Sequence, residues 1–281
     1  KIYEAILELY AKNEPLDLDY IKYLEQEYGI PNLWPYIATD RIIRYNLLVR
    51  EYPYDTPPYT HEEMMRIMQV QAKAIISFLE KERPDVIIFS VIGSLTSMLL
   101  YQMAKKRGIR TLLIQRSRIN TKFSLTEDYN DAGYIRKSFE EIKKNNASYQ
   151  DHIRKAEKFL NDFRDKPSPY SIVATPKGRP TTRKKQFAFL LPGKMFKSAG
   201  WFTKILYRYL TDKYRDDYST IKPWHYLWDR IKRKTRVLIG FDDLYDKVDL
   251  KEDYAFFPLH VMPEVSTMLF SPFYIDQIWL I

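Results

Sequence analysis

The chain has 281 residues, a formal net charge of +9, 45% apolar residues and no Cys. This length suffices for one large domain or two modest domains with a sizeable core. The absence of Cys excludes a disulfide framework, a thiolate zinc site and a Cys nucleophile, and it fits a reducing, cytoplasmic location. Gly is scarce, at eight residues, which argues against Gly-rich β architectures and collagen-like chains.

Neither end of the sequence shows a targeting or anchoring segment. There is no signal-peptide core and no run of about eighteen uninterrupted apolar residues. The chain opens on Lys1 in a stretch that already has helical spacing, and it closes on the apolar run QIWLI. We therefore expect a fragment that is truncated at its C-terminus and also at its N-terminus.

The first eighty residues are predicted to be mainly helical. Apolar residues recur at helical spacing over about 2–12, 17–28 and 61–82. The Pro-rich stretch EYPYDTPPYT separates the second of these helices from the third, because Pro and its neighbours interrupt periodic structure.

A strand, helix, strand pattern follows. RPDVIIFS predicts a short strand, VIGSLTSMLLYQMAKKRG an amphipathic helix that ends at Gly108, and IRTLLIQ a second strand. This unit has the length of a parallel crossover connection. The predicted fold class is therefore α/β, with a Rossmann-like, doubly wound N-terminal domain that contains many helices.

The loops after these two strands hold candidate ligand-binding residues, since such sheets bind ligands beyond the carboxyl ends of their strands. Ser90, Ser94 and Thr96 follow the first strand, and Arg116 and Arg118 follow the second. All five are predicted to bind an acceptor or an anion. Helix capping is the alternative for the hydroxyls, and simple solvent exposure for the arginines. Three-glycine dinucleotide turns and P-loops are absent from the sequence, which disfavours nicotinamide cofactors and P-loop hydrolysis.

A long charged helix is predicted at about 135–165, and the segment 176–236 after it carries the basic charge of the whole chain. It contains 17 Lys and Arg against 4 Asp, and twelve aromatic residues. This composition predicts a basic, aromatic-rich helical segment with three possible roles. It can be a helical subdomain with an aromatic core, a surface for an anionic membrane or lipid-linked substrate, or a nucleic-acid surface. No named nucleic-acid motif supports the last role, so we expect peripheral association with the inner membrane face and no nucleic-acid partner.

Other chemistry is not indicated. No GxSxG motif is present, which disfavours a hydrolase of that type. The carboxylates of GFDDLYDKVDLKEDY do not follow the ligand pattern of an EF-hand, so residues 237–252 are predicted to be a polar interdomain linker. We predict no metal site, because the four histidines are far apart in the sequence and lack metal-binding spacing: His61, His152, His225 and His260.

The last segment, 253–281, predicts a second strand, loop, helix unit. DYAFFPLH is a strand candidate that ends at His260, VMPEVSTMLF is a loop, and SPFYIDQIWLI begins a helix with Ser271 as its N-cap and Pro272 in its first turn. This is the pattern of the start of a second, truncated Rossmann-like domain. The predicted division of the chain is 1–175, 176–236, 237–252 and 253–281.

This last segment resembles a segment of bacterial capsule and surface polysaccharide biosynthesis proteins, a family related to Kdo transferases. In that family a strand ending in Phe-Pro-Leu-His runs into Pro-Glu-Ala-Ser-Thr and then into a Phe-Tyr-x-x-Gln helix start. Val265 stands here where the family usually has Ala. The resemblance covers roughly the last thirty residues. The matching residues are Phe257, Pro258, Leu259, His260, Pro263, Glu264, Ser266, Thr267, Phe273, Tyr274 and Gln277.

The resemblance implies a glycosyltransferase of the GT-B type, in which two Rossmann-like domains face one cleft and the second binds most of the nucleotide-sugar donor. Some relatives transfer Kdo from CMP-Kdo. The implied reaction here is transfer of a sugar such as Kdo to a glycan or lipid-linked acceptor, with no tightly bound cofactor. Relatives also carry a Lys-Glu-His-Pro segment further along, which this sequence lacks. The fragment is therefore expected to be inactive by itself.

The same resemblance suggests individual roles. His260 and Glu264 would orient the sugar or act as acid and base, since a carboxylate and an imidazole can exchange protons near neutral pH. Ser266, Thr267 and Gln277 would bind the donor, with a purely structural role as the alternative for Gln277. Two other functions remain open, namely a nucleotide-sugar epimerase-like isomerase and a non-catalytic membrane- or glycan-binding module.

Overall fold

A computed structural model gives the fold of the chain. It describes residues 2–30, 32–40, 43, 59–90, 92–116, 123–131, 133–166, 187–211 and 222–239, with scattered single positions between 249 and 279. The described part is α/β, with mostly helices and one small three-stranded mixed sheet. The predicted α/β class is therefore confirmed at that level.

The elements of the described ranges are defined as follows. The helices are α1 (Ile2–Ala11), α2 (Leu18–Glu27), α3 (Trp34–Thr39), α4 (His61–Glu82), α5 (Leu95–Lys106), α6 (Gly133–Lys144), α7 (Gln150–Asp165), α8 (Pro192–Thr211) and α9 (Pro223–Ile239). The strands are β1 (Val86–Phe89), β2 (Arg110–Arg116) and β3 (Phe123–Thr126). Two short 3-10 helices lie at Asn146–Tyr149 and Phe187–Leu190.

The helices and strands predicted in the first 116 residues are confirmed, and side-chain caps account for several of their ends. Asp17 begins α2 by accepting hydrogen bonds from the backbone N–H groups of Asp19 and Tyr20. Thr60 and Glu63 form a reciprocal capping box at the start of α4. These caps satisfy donors that a helix cannot pair within itself, so local sequence suffices to define these boundaries.

The single helix predicted at about 135–165 is wrong in its middle. The structure has two helices there, α6 and α7, separated by the 3-10 turn Asn146–Tyr149. Asn145 has φ −129° and ψ 57°, which is not helical. Asn and Ser side chains compete for nearby backbone groups and are poor helix formers, which explains why the break falls at Asn-Asn-Ala-Ser.

The sheet has the strand order β1-β2-β3, and its third strand was not predicted. β1 and β2 are parallel, as expected for a strand, helix, strand unit. β3 pairs antiparallel to β2, with Arg116 opposite Phe123, so the sheet is mixed. FSLT is too short to give a clear alternating pattern, and its pairing with β2 depends on residues elsewhere in the chain.

The two faces of this sheet differ in exposure. Alternating residues point to opposite faces of a strand. One face is buried and carries Phe89, Thr111, Leu113 and Thr126. The opposite face is apolar and exposed, and carries Val86, Ile88, Ile114, Phe123 and Leu125.

The chain divides into two compact units. The first comprises Lys1–Asp85, Ile92–Ile109 and Gln186–Ile281, and the second comprises Val86–Val91 and Arg110–Lys185. The first unit therefore contains α1 to α5, α8 and α9, while the second contains the sheet, α6 and α7. The four-part division based on sequence stays a prediction.

Helix α4 is the centre of the core of the first unit. It contacts α1, α2 and α5, and α5 also contacts α3. Its buried residues fall on several sides of the helix, so its middle part is enclosed by the rest of the chain. They are Met64, Ile67, Met68, Gln69, Val70, Gln71, Ala72, Ala74, Ile75 and Leu79.

The buried amide of Gln69 ties the loop before α2 to this core. Its Oε1 accepts a hydrogen bond from the backbone N–H of Asp17 at 2.8 Å. Its Nε2 donates to the carbonyl of Pro15 at 3.0 Å. One side chain therefore satisfies two backbone groups of the loop, and a buried polar group is stable only when it is paired in this way.

We expect Gln69→Leu to lower the free energy of unfolding by about 2 kcal/mol, because it leaves an N–H and a carbonyl without their partner. Urea denaturation followed by circular dichroism would measure the change. Gln26→Leu, at an exposed position of α2, is the matched control and should leave the midpoint almost unchanged. Equal effects of the two substitutions would contradict this role for Gln69.

Candidate functional site

The N-terminus of α5 was the first predicted anion site, and the structure shows that the Ser94 hydroxyl caps this helix. Ser94 is the N-cap residue, and its hydroxyl accepts a hydrogen bond from the N–H of Ser97 at 3.3 Å. The hydroxyl of Ser97 in turn accepts from the N–H of Ser94 at 3.1 Å. This reciprocal pair is a capping box in which Ser97 takes the place that Glu or Gln usually occupies.

A carboxylate from a distant part of the sequence also lies at this helix end. Asp40 is fully buried at the end of α3. Its Oδ2 accepts from the N–H of Leu95 at 2.6 Å, and its Oδ1 accepts from the N–H of Ile43 at 3.0 Å. A negative charge is stabilised at a helix N-terminus by the helix dipole, so the chain provides its own anion there.

Thr96 is also engaged within the protein. Its hydroxyl donates to Oε1 of Gln71 at 2.6 Å, and Gln71 is fully buried in α4. An additional anion at the α5 N-terminus would meet the carboxylate of Asp40 and would have to displace these hydrogen bonds. Ser94 is therefore a helix cap and Thr96 is a hydrogen-bond partner of Gln71, and their binding of an acceptor or anion stays a prediction.

The other three residues of the predicted loops have different positions. Ser90 directly follows β1 and is exposed. Arg116 is the last residue of β2 and pairs with Phe123 in the sheet. Arg118 lies outside the described residues. Their binding of an acceptor or anion stays a prediction.

Most of the predicted transfer site also lies outside the described residues, namely His260, Glu264, Ser266 and Thr267. Gln277 is described and is partly buried. The helix predicted to begin at Ser271 is wrong at Asp276 and Gln277, which are not helical. The N–H of Trp279 donates to Oδ1 of Asp276 at 3.4 Å, a local side-chain bond of the kind that competes with helix formation.

Helices α8 and α9 pack against each other and together form what we call the α8–α9 pair. The rings of Tyr209 and Trp224 lie 5.5 Å apart, and those of Trp201 and Tyr226 lie 4.7 Å apart. The later residue of α9, Tyr226, therefore contacts the earlier residue of α8, Trp201. This order of contacts shows that the two helices run antiparallel.

Arg230 lies at the centre of the α8–α9 pair. Its guanidinium is 5.4 Å from the ring centroid of Trp201 and 5.2 Å from that of Tyr226. Its Nε donates a hydrogen bond to the Tyr226 hydroxyl at 2.6 Å. Nearby, the Lys234 ammonium lies 3.7 Å from the ring centroid of Phe189. Cations over ring faces hold this contact together, so part of the basic charge has a structural role.

The charged residues of the pair are almost all basic. The two helices contain nine Lys and Arg and a single acidic residue, Asp229, which is buried. Burial, followed by the charge of Lys222, lowers the pKa of His225, so this imidazole is neutral near pH 7. The surface charge of the pair is therefore positive at neutral pH and independent of this histidine.

The pair also exposes large apolar side chains. Phe196 is 78% exposed, Tyr207 and Leu210 are each 67% exposed, and Trp228 is 59% exposed. Composition predicted a basic, aromatic-rich helical segment, and the helices within it are confirmed, with α9 extending to Ile239. The sequence did not show which rings would pack inside the pair and which would face solvent, because that depends on how the two helices meet.

No group of three or more metal-ligating side chains occurs within the described ranges. Among the helices that the structure describes, none is long and apolar enough to cross a membrane.

In comparisons with known proteins, no protein-family profile, no curated protein and no solved structure matches this chain.

We expect Ser94→Ala to lower the free energy of unfolding by about 1 kcal/mol, the usual cost of removing a Ser cap. Thermal or urea denaturation would measure it, with Ser198→Ala at an exposed site of α8 as the control. The loss should be the same with and without inorganic phosphate. A phosphate-dependent stabilisation that Ser94→Ala abolishes would instead support the anion-binding role.

Proposed function

We propose that this chain is part of a GT-B-type glycosyltransferase of capsule or surface polysaccharide synthesis. In this proposal the protein transfers a sugar such as Kdo from a nucleotide-activated donor, for example CMP-Kdo, to a glycan or lipid-linked acceptor on the cytoplasmic side of the membrane. The observation that carries the proposal is the Phe-Pro-Leu-His, Pro-Glu-Val-Ser-Thr and Phe-Tyr-x-x-Gln series between Phe257 and Gln277.

The fold of the first half is compatible with this proposal. A GT-B first domain is a Rossmann-like unit, and β1, α5 and β2 follow each other here as strand, helix and parallel strand. A parallel strand pair with a helical connection is common to many α/β folds. It therefore supports the fold class, while the functional proposal depends on the C-terminal series.

The chemistry proposed for this series needs only ordinary side-chain properties. Transfer requires a base to take the proton of the acceptor hydroxyl as the sugar bond forms and the nucleotide leaves. His260 and Glu264 are four positions apart, and either can accept that proton near neutral pH. Ser266 and Thr267 supply hydroxyl donors for the phosphate or sugar oxygens of the donor, and Gln277 supplies an amide.

We expect His260→Ala and Glu264→Ala, each made in the full-length protein, to lower the rate of sugar transfer by about a hundredfold or more, the usual effect of removing a general acid or base. Release of nucleotide from CMP-Kdo and other activated sugars, followed with a lipid-linked glycan acceptor, would measure it. The matched control is His152→Ala with Glu157→Ala, both exposed on α7, which should leave transfer unchanged.

Wild-type transfer rates in both His260→Ala and Glu264→Ala would remove these residues from the proposal. Donor conversion that proceeds without any acceptor would point instead to an epimerase-like isomerase. Complete absence of turnover in the full-length protein, with glycan or membrane binding retained, would identify a non-catalytic binding module.

A further inference from the structure

The surface of α8 is divided into three faces. Phe202, Ile205 and Tyr209 are partly buried on one face, and the Tyr209 ring on this face contacts Trp224 of α9. A second face is exposed and apolar, and is formed by Met195, Phe196, Leu206, Tyr207 and Leu210. The third face carries Lys194, Lys197, Lys204 and Arg208, and α8 contains no acidic residue to balance them. At about 3.6 residues per turn, the apolar stripe and the basic face lie on opposite sides of the contact with α9.

Helix α9 has a corresponding exposed stripe. Leu227, Trp228, Ile231 and Leu238 are all exposed, at the spacing of one helix face. Tyr226 and Asp229 lie on the buried side of the helix. The stripe of α9 therefore faces solvent, and Trp224, whose ring contacts Tyr209 of α8, lies on the same helix face and is also exposed.

The two stripes lie on the same side of the α8–α9 pair. On each helix the stripe is displaced from the mean direction of the residues that contact the other helix, and the rotational sense is the same on both. Because the helices are antiparallel, displacements in the same sense bring both stripes to one side. The result is an exposed apolar surface contributed by both helices, with the basic residues of α8 on another side, and large exposed apolar surfaces on monomeric proteins are typically interaction sites.

We propose that this apolar surface of the α8–α9 pair docks onto an anionic phospholipid membrane, with its apolar side chains inserted at the headgroup level. The inference depends on this surface alone and not on the proposed transfer reaction. Charge complementarity supports it, since the four Lys and Arg of α8 have no acidic residue in that helix and match a negatively charged bilayer. A helix is about 10 Å wide, so even its outer basic face lies within about one Debye length of the lipid surface.

The composition of the surface favours lipid over nucleic acid. Bases stack on aromatic rings, and a nucleic-acid surface interleaves those rings with cations. Here aliphatic side chains such as Leu206, Leu210 and Ile231 share the exposed surface with the rings, and the lysines of α8 lie on another face. Separate apolar and basic faces with aromatic side chains are typical of helices that lie in the plane of a membrane interface.

The test is binding of the full chain to phosphatidylcholine vesicles with and without phosphatidylglycerol, measured by sedimentation. We expect the protein to bind the anionic vesicles and to dissociate as salt is raised. The variant Phe196→Ser/Leu210→Ser should lower the partition coefficient by about tenfold or more, because two inserted apolar side chains are lost. The variant Lys197→Glu/Lys204→Glu/Arg208→Glu should lower it by about a hundredfold.

Helices α6 and α7 provide the matched controls. Helix α7 exposes Leu160 and Phe163 but balances four Lys and Arg with four Asp and Glu. Leu160→Ser/Phe163→Ser and the charge reversal Arg136→Glu/Lys137→Glu/Lys158→Glu, at exposed positions of α6 and α7, should leave binding unchanged. A measurement on the wild type, quenching of Trp fluorescence by brominated lipid, does not depend on any variant folding correctly. Trp228→Phe should reduce this quenching.

Three results would overturn the proposal. The first is absence of binding to anionic vesicles together with absence of quenching. The second is equal loss of binding in the α6 and α7 controls. The third is that the wild type does not bind vesicles and that Phe196→Ser/Leu210→Ser changes only the oligomeric state or the binding of a single-stranded RNA probe. Sedimentation velocity and fluorescence anisotropy would detect these last effects.

Discussion

The hydrogen bonds of the buried Asp40 carboxylate connect the end of α3 to the start of α5. The carboxylate lies where α3 ends and accepts hydrogen bonds from the first N–H of α5 and from Ile43. A buried carboxylate is tolerated only with such partners, and a buried helix end needs an acceptor, so each satisfies the other. The layer that includes α3, α4 and α5 is thus held by paired polar groups as well as by apolar packing. The same contact places a carboxylate at the N-terminus of α5.

Local sequence patterns predicted the helices and strands whose formation depends on neighbouring residues. α1, α2, α4, β1, α5 and β2 were predictable because spacing and caps are encoded within a few residues of each element. The contact of Asp40 with Leu95 joins residues 55 positions apart, and no local pattern shows it. β3 and the break at Asn145 were missed for related reasons. The four-residue strand β3 forms because it pairs with β2. A weak helix former such as Asn145 can either stay within a helix or interrupt it, and tertiary contacts decide between the two.

The sequence shows that the segment around α8 and α9 is basic and rich in aromatic residues. It does not show which of these residues make the contact between the helices and which are exposed. Three roles were compatible with the sequence, and the structure shows that one group of residues makes the contact between the two helices while another group is exposed. Trp201, Tyr226 and Arg230 form the internal contact, while Phe196, Tyr207 and Trp228 remain at the surface. The predicted donor site offers no comparable division, since His260 and Glu264 lie outside the described residues. The proposed donor site depends on the residues of the C-terminal sequence series alone.

The division of the chain into units has a practical consequence for dissecting the protein. The first unit is assembled from three separate stretches of sequence. The second unit consists of Val86–Val91 and Arg110–Lys185, the two stretches that separate them along the sequence. No single cut can release either unit intact, because the chain passes from one to the other several times. A protein shortened to begin after Asp40 would also lose the acceptor at the start of α5, although α5 itself lies far downstream. Fragments should therefore be defined by unit membership and not by position along the chain.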